Sequence, residues 1–472
     1  MKPYIKSIIA TFLLIPAFAG LAEDKKDRPN FVIFNLDDSG YSDFSPFGNT
    51  AYSTPHIQKL ADEGCRLTNF HTPQAVCSAS RAALLTGCYP ERVGVDGPLT
   101  PGKRGLEHEW KILPERLKGT GYVSGIFGKW HLGDQDDTRP HMRGFDESSG
   151  LMYSNDMWRH HPKKPQGFMV PLKYWKNGKN IIEDFSKADQ KNLTKWSAED
   201  SVDFINRQKD KPFFLYVPFS MPHVPLYVSK EFENRSGLGL YADVMMEIDW
   251  AVGQVMTALK SHKIDDKTLI IFTSDNGPWT TYGNHAGKTP YREGKWTAYE
   301  GGTRNATIIK YPKAIKAGTT CDKFISSLDV VPTLLELAGI ENMFHSMDGK
   351  DIIDYFNPNV EHKNLHVYYP FTVPKFLGGF SGVYSADGRW KLVVPFTVRS
   401  AATIGNDGVP GEEQRNMSEL ALYDMKNDPY EKNNVIDKYP ELVAQLMKFA
   451  RSHNQKFYPE KRFAIDKRIM KK

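Results

Sequence analysis

Cysteine is scarce. Cys65, Cys77, Cys88 and Cys321 are all that 472 residues contain, too few for a disulfide framework to hold a chain of this size together. Long apolar runs are absent as well. Beyond an opening stretch from Ile8 to Phe18, nothing approaches the roughly 20 residues of a membrane-crossing helix. Charge of one sign does not dominate: 61 Lys and Arg against 56 Asp and Glu leave +5, too mild a balance to argue for nucleic acid. A local basic surface stays open, because fields depend on where charges sit and not on their sum. No internal repeat stands out, and no His/Cys spacing of the zinc-binding kind is present.

With 40% hydrophobic and 25% charged residues, the composition is that of an ordinary globular enzyme. The length suggests one large unit and a small one. Lys2 and Lys6, the apolar run and the small residues ending at Ala22 read as a signal peptide over 1–22. Its removal takes two cations and no acid, so +5 becomes +3. No Cys follows the apolar run, so no lipid anchor or membrane anchor is expected, and the chain reads as periplasmic or secreted.

Asn30–Leu36 is a short β-rich apolar run that stops abruptly at Asp37-Asp38-Ser39-Gly40. Lys211–Val217 behaves alike ahead of Pro222-His223, and Leu269–Thr273 ahead of Asp275-Asn276-Gly277. Helical patterns over Thr54–Glu63, Ser80–Leu85 and Tyr241–Leu259 alternate with these runs, which predicts an α/β fold with a central, mostly parallel sheet between helices. In such sheets ligands bind at the carboxyl ends of the strands. From about Pro358 the texture changes to short strand-like segments, His366–Tyr369 and Arg389–Val394, with one amphipathic helix over Pro440–Ser452. The expected division is a catalytic domain over 23–357 and a C-terminal subdomain over 358–472, an antiparallel sheet with a helix. The basic end, Lys461–Lys472, reads as a solvated tail.

The sharpest local signal is Val76-Cys77-Ser78-Ala79-Ser80-Arg81-Ala82-Ala83-Leu84-Leu85-Thr86-Gly87. It resembles the signature of the type I, formylglycine-dependent sulfatases, the arylsulfatase-like branch of the alkaline phosphatase superfamily. There the Cys is oxidised to formylglycine (3-oxoalanine) by a separate maturation enzyme. Most members carry Pro where this chain has Ala79, which bears on which maturation enzyme acts. The resemblance implies a large sulfatase-like domain with a mixed central sheet, and an enzyme that hydrolyses a sulfuric ester. An aldehyde hydrates to a geminal diol, so one hydroxyl can attack sulfur and the other can later expel sulfate. Arg81, one helical turn after Cys77, is on the side that can fix the diol. With Cys77 consumed, at most one disulfide can form, and Cys65 with Cys88 is the expected pairing.

Asp37, Asp38, Asp275 and Asn276 offer hard oxygen ligands from two strand ends, which suits calcium, with an oxygen of the modified Cys77 completing the site. Gly128-Lys129-Trp130-His131 matches a family block in which the Lys binds sulfate and the His takes a proton from the second hydroxyl. His223 matches the residue at the ester's bridging oxygen, and Lys295 the second sulfate-binding Lys. Ser154, in Gly150–Asp156, matches a Ser that reaches the sulfate. The resemblance continues through Glu300-Gly301-Gly302 and Leu422–Pro429. Two other readings share these residues: a phosphoric or phosphonic ester hydrolase of the same superfamily, and, if Cys77 stays unconverted, an inactive sulfated-glycan binder. The expected substrate is a sulfated carbohydrate from a marine or host polysaccharide. Between Asp134 and Lys195 cations mix with aromatics, among them Arg139, His141, Arg143, Trp158, Arg159, His160, His161, Lys163, Lys164, Tyr174 and Trp175. Trp279, Tyr282 and His285 are expected to extend that surface.

Overall fold

The computed structural model describes residues 28–161, 168–283, 288–341, 346–357, 367–457 and 469. The expected signal peptide, Lys163, Lys164, His285, the 357/358 boundary and nearly all of the basic end lie outside the described residues. No helix among the described residues is long and apolar enough to cross a membrane.

Eleven strands build one sheet: β1 (Asn30–Leu36), β2 (Cys65–His71), β3 (Val123–Lys129), β4 (Glu147–Leu151), β5 (Tyr174–Lys176), β6 (Lys179–Ile182), β7 (Phe213–Pro218), β8 (Thr268–Ser274), β9 (Arg304–Lys310), β10 (Thr319–Cys321) and β11 (Ile325–Ser326). Their order is β10-β2-β9-β8-β1-β7-β3-β4-β5-β6, with β11 beside β2. The central five, β8-β1-β7-β3-β4, run parallel; β9, β5 and β6 introduce the antiparallel pairings.

Burial on both faces explains why the central strands read as unbroken apolar runs. Successive side chains point to opposite faces. Val32, Phe34 and Leu36 of β1 join Leu215 of β7 and Ile270 of β8 in one core, whereas Phe31, Ile33, Tyr216 and Ile271 join the other. The first core is closed by α1 (Pro55–Asp62) and, further along the chain, by two longer helices. The second rests on α2 (Cys77–Thr86), whose ten residues are all buried. The two longer helices are α3 (Leu193–Gln208) and α4 (Leu240–Ser261), the latter delivering Val244, Met245, Ile248 and Val252. Helix α5 (Val330–Leu337) completes the second layer.

The C-terminal part contains a three-stranded antiparallel sheet, β12 (Gly382–Tyr384), β13 (Trp390–Val393) and β16 (Ala421–Asp424), and a two-stranded one, β14 (Thr397–Ala401) with β15 (Glu413–Met417). Helix α6 (Pro440–Phe457) packs Leu446, Met447 and Ala450 into a third core that also takes Ala83, from the back of α2. The small sheet therefore supports the helix that begins at Cys77. Of the segment expected as a strand near His366–Tyr369, Tyr368 makes a single bridge to Tyr384.

The expected Cys65–Cys88 pairing is corrected. All four cysteines are free and buried. Cys65 opens β2 and its thiol donates to the Arg66 carbonyl at 3.7 Å, while Cys88 follows α2 and its thiol donates to the Thr86 and Ser346 carbonyls, so the two thiols face different partners and not each other.

Candidate active site

The five parallel strands end at one edge, and each delivers a polar residue there. Strand β1 runs into Asp37 and Asp38, β8 into Asp275 and Asn276, β3 ends on Lys129 with His131 two residues on, β7 leads to His223 and β4 to Ser154. Asp38 (φ 68°) and His131 (φ 60°) adopt the left-handed conformation that non-glycine residues avoid. Each such residue costs about 1–3 kcal/mol and persists where its surroundings over-determine it. Gly277 is required sterically: a Cβ there would lie 1.8 Å from the Gly301 carbonyl oxygen. Without that close approach the Asp275-Asn276 turn could not seat on the Gly301-Gly302 turn, where Gly277 N–H donates to Gly302 O at 2.9 Å.

Cys77 is the first residue of α2, after an extended Val76. Small residues, Ser78, Ala79, Ser80, Ala82 and Ala83, let this helix sit wholly inside the protein. The Cys77 Sγ is 3.2 Å from Asp37 Oδ1, 3.9 Å from Asp38 Oδ1 and 3.1 Å from Lys295 Nζ. One turn along, Arg81 donates Nε and Nη2 to Asp275 Oδ2 at 3.0 and 2.9 Å, and Nη1 to the Lys129 carbonyl at 2.9 Å. Lys295 Nζ donates to both Asp38 oxygens at 2.7 Å. Lys129 Nζ donates to Asp37 Oδ2 and to Ser154 Oγ, the latter at 3.2 Å.

Three carboxylates, Asp37, Asp38 and Asp275, thus face three cations, Arg81, Lys129 and Lys295, all of them buried. Burial pushes the Asp37 carboxyl up, but Lys129, His223, Arg81 and Lys295 more than offset it and hold it well below the usual carboxylate range. Burial and then Asp37 push the Cys77 thiol well up, so it is a neutral thiol. Burial and Asp37 also push Asp275 up to about 7. Burial, reinforced by the charge of Lys129, pulls His131 well down, and burial followed by Lys295 lowers His223.

The donor set fits a hard cation. One atom each of Asp37, Asp38, Cys77 and His223 lie within 4.8 Å of one another. Asn276 Nδ2 donates to Asp38 Oδ1 at 2.7 Å, while its buried Oδ1 has no partner; an amide flip aims that oxygen at the carboxylates. Asp275 is drawn in less directly, since its Oδ2 takes both Arg81 bonds and its Oδ1 accepts from Asp38 N–H at 3.3 Å.

All residues expected at the site and described by the structure therefore converge. The expected substrate surface between Asp134 and Lys195 does so only in part. Arg143 is fully buried, bound to Glu115 and to the Leu106 and Trp110 carbonyls, and Tyr174 and Trp158 belong to the core. Arg139, stacked 4.0 Å over Trp175, does lie towards solvent. Two contributors had no sequence signal: the Leu99 carbonyl, which accepts from His131 Nε2 at 2.9 Å, and Asp156. The Ser154-Asn155-Asp156 run marked Ser154 alone.

Residues 29–340 match the family model described as Sulfatase, and residues 293–400 the one described as N-sulphoglucosamine sulphohydrolase, C-terminal. The chain is 34% identical over 357 residues to N-acetylgalactosamine-6-sulfatase of Canis lupus familiaris, covering 72% of this chain and 68% of that one. It is 33% identical over 441 residues to human arylsulfatase A, covering 90% and 86%. The crystal structure of PsFucS1 sulfatase from Pseudoalteromonas sp. superposes with a TM-score of 0.81 at 26% identity, over 92% of each chain.

Proposed function

Because this chain belongs to the sulfatase family of the alkaline phosphatase superfamily and is a sulfuric ester hydrolase, we propose that it removes sulfate from a sulfated carbohydrate at Cys77, which is matured to formylglycine beside a calcium ion. The observation that carries this reading is the convergence of two lysines, His223 and the carboxylate pair on one buried thiol at a helix start. Its sulfur marks where the oxygens of the matured side chain lie. The similarity to an N-acetylgalactosamine-6-sulfatase supports a sulfated sugar as the substrate class.

Asp37, Asp38, Asp275 and Asn276 would hold calcium, which when bound supplies a Lewis acid and template for the sulfate oxygens. The formylglycine hydrate, when formed, supplies one hydroxyl to attack sulfur and a second to release sulfate. Lys129 and Lys295, on either side of Cys77, bind and neutralise the sulfate oxygens, with Ser154 Oγ as a further contact. Arg81 fixes the start of α2 against Asp275 and orients residue 77. His131 donates Nε2–H to the Leu99 carbonyl, which leaves Nδ1 as the bare nitrogen. That Nδ1 is buried without a partner and is the base for the second hydroxyl's proton. His223 Nδ1–H donates to the Val224 carbonyl at 2.6 Å, and its Nε2 lies 3.6 Å from Asp38 Oδ2. This turns Nε2 towards the carboxylates: the Lys295 ammonium can give the departing alcohol oxygen its proton or stabilise its charge, and His223 can assist through Nε2 only once that nitrogen is protonated.

The same reading makes a formylglycine-generating enzyme a necessary partner and puts the chain in the periplasm or outside the cell, behind the leader expected over 1–22. Carrageenan, agar, ulvan, fucoidan and glycosaminoglycan oligosaccharides, assayed for released sulfate beside nitrophenyl sulfate and nitrophenyl phosphate, test it. Sulfate release from at least one glycan is expected. Turnover of aryl sulfate with every glycan inert would overturn the substrate class, and preference for phosphate would overturn the reaction assigned to the site.

A further inference from the structure

Asp156 lies two residues beyond Ser154, whose Oγ is 3.2 Å from Lys129 Nζ and 3.5 Å from His223 Nδ1. The residue is 6% exposed. Its Oδ2 faces His161 Nε2 at 3.3 Å, whereas its Oδ1, equally buried, has no hydrogen-bond partner. Burial pushes this carboxyl up, but His223, His161 and Lys129 pull it below the usual carboxylate range, so it is ionised and can only accept. Its field is felt on the far side too: after burial, Asp156 is the main cause raising the Tyr282 hydroxyl. Tyr282 packs 4.8 Å from Trp279, which in turn meets the His223 ring at 5.9 Å. Asp156 therefore sits among His223, His161, Tyr282 and Lys129, on the His223 side of the cluster.

Asp43 and Asp329 are structural carboxylates satisfied on both oxygens; Glu91 and Glu247 also bury oxygens without a partner, but burial raises both of these carboxyls, Glu247 to about 7, whereas Asp156 is lowered. Asp43 accepts from Lys288 N–H on Oδ1 and from Gly40 N–H and the Tyr241 hydroxyl on Oδ2. Asp329 accepts from Lys350 N–H on Oδ1 and from Ser326 N–H and the Tyr368 hydroxyl on Oδ2. The neighbouring cations keep Asp156 ionised, but its Oδ1 still lacks a donor, and a ligand hydroxyl placed there would supply one.

We propose that Asp156 Oδ1 accepts a hydrogen bond from a free hydroxyl on the sugar ring that carries the scissile sulfate, which makes Asp156 a specificity-determining residue for sugars unsulfated at that neighbouring position. The inference rests on the sulfated-carbohydrate reading above. A ring lacking the hydroxyl leaves the carboxylate unpaired, and a second sulfate there meets like charge. Sites built around a substrate hydroxyl reject its deoxy analogue far more strongly than apolar pockets reject a missing methylene.

The test is a cycle between enzyme and substrate, run with holoenzyme whose Cys77 conversion is verified by mass. The sulfated monosaccharide that turns over fastest is compared with its single-deoxy analogues and with its disulfated analogue, in wild type and in Asp156→Ala. In wild type, one deoxy analogue is expected to lose about 100-fold or more in kcat/KM, and the analogue sulfated at the same carbon to lose at least as much. In Asp156→Ala the same hydroxyl deletion should cost less than about threefold, because the coupling is gone. An equal deletion cost in both enzymes, or no deletion costing wild type more than about threefold, overturns the proposal. Should Asp156→Ala not fold, Asp156→Asn, which removes the charge, takes its place in the cycle: the penalty for the second sulfate at that carbon should fall at least about tenfold, and an unchanged penalty overturns the proposal. Absence of sulfate release from every sugar by converted wild type would overturn the functional reading itself, an outcome distinct from a flat analogue series.

Discussion

Cys77 lies 3.2 Å from Asp37 and 3.1 Å from Lys295, yet it makes little of the packing that holds α2, because Ala82, Leu84 and Leu85 carry the apolar contacts. Its replacement separates chemistry from fold. Cys77→Ala should abolish turnover while lowering stability by only about 1 kcal/mol, the scale of one small buried group. Cys77→Ser supplies a single hydroxyl and should release at most one equivalent of alcohol before stopping. Steady turnover by either variant, followed by sulfate release, would contradict the role given to this residue. The carboxylates at the site were legible because acidic residues follow apolar runs abruptly at Leu36 and Ser274. Asp156 was not, since one acid in a polar loop has no pattern, and only the fold brings its unpaired Oδ1 beside His223 and Lys129.

Among elements, the β14–β15 hairpin shows what lay beyond local reading. Its tip returns to the large sheet's side: Gly405 and Gly411 N–H donate to the Thr281 carbonyl, and Gly408 N–H to that of Tyr282. Asp407 accepts from Leu240 and Tyr241 N–H at 2.7 Å each, capping α4. The Arg399–Glu413 pair on the two strands stacks Arg399 4.7 Å over Trp296, next to Lys295. Asp407→Ala should cost about 1–2 kcal/mol, the range for losing a helix cap, measured by denaturant unfolding. A change within error would show that solvent satisfies those two amides equally well. Strands β1, β7 and β8 were legible from composition alone. The antiparallel direction of β9 and the sheet order were not, because pairing depends on partners distant in sequence.

At the scale of the whole molecule, buried charge joins the C-terminal sheet to the large one. Lys391 of β13 lies 3.0 Å from Glu300 Oε1 and 2.7 Å from Glu431 Oε1, with all three side chains buried, and Glu300 Oε2 also meets His71 Nε2 at 3.0 Å. Burial raises both carboxyls. At Glu300 the charges of Lys391 and His71 more than offset it, whereas Glu431 stays raised. Lys391→Met strands two buried carboxylates and should cost about 3–5 kcal/mol; a loss below about 1 kcal/mol would show the network to be replaceable. Asp329, which accepts from Tyr368 across the same junction, is pushed up to about 6 by burial. A carboxyl raised in the folded state contributes stability below its unfolded pKa and loses it as pH rises through the folded value. The stability difference between wild type and Asp329→Asn should therefore shift against wild type by about 2–3 kcal/mol between pH 4 and pH 7. A pH-independent difference would contradict the shift. The change of texture after Pro358 was visible in the sequence, but this junction was not, because its members come from segments as far apart as His71 and Glu431. The most direct test of the account is the specific rate of sulfate release from the best sulfated glycan, plotted against the fraction of Cys77 found as aldehyde by mass spectrometry. A line through the origin is predicted. Equal activity in preparations holding only the unconverted thiol would contradict it.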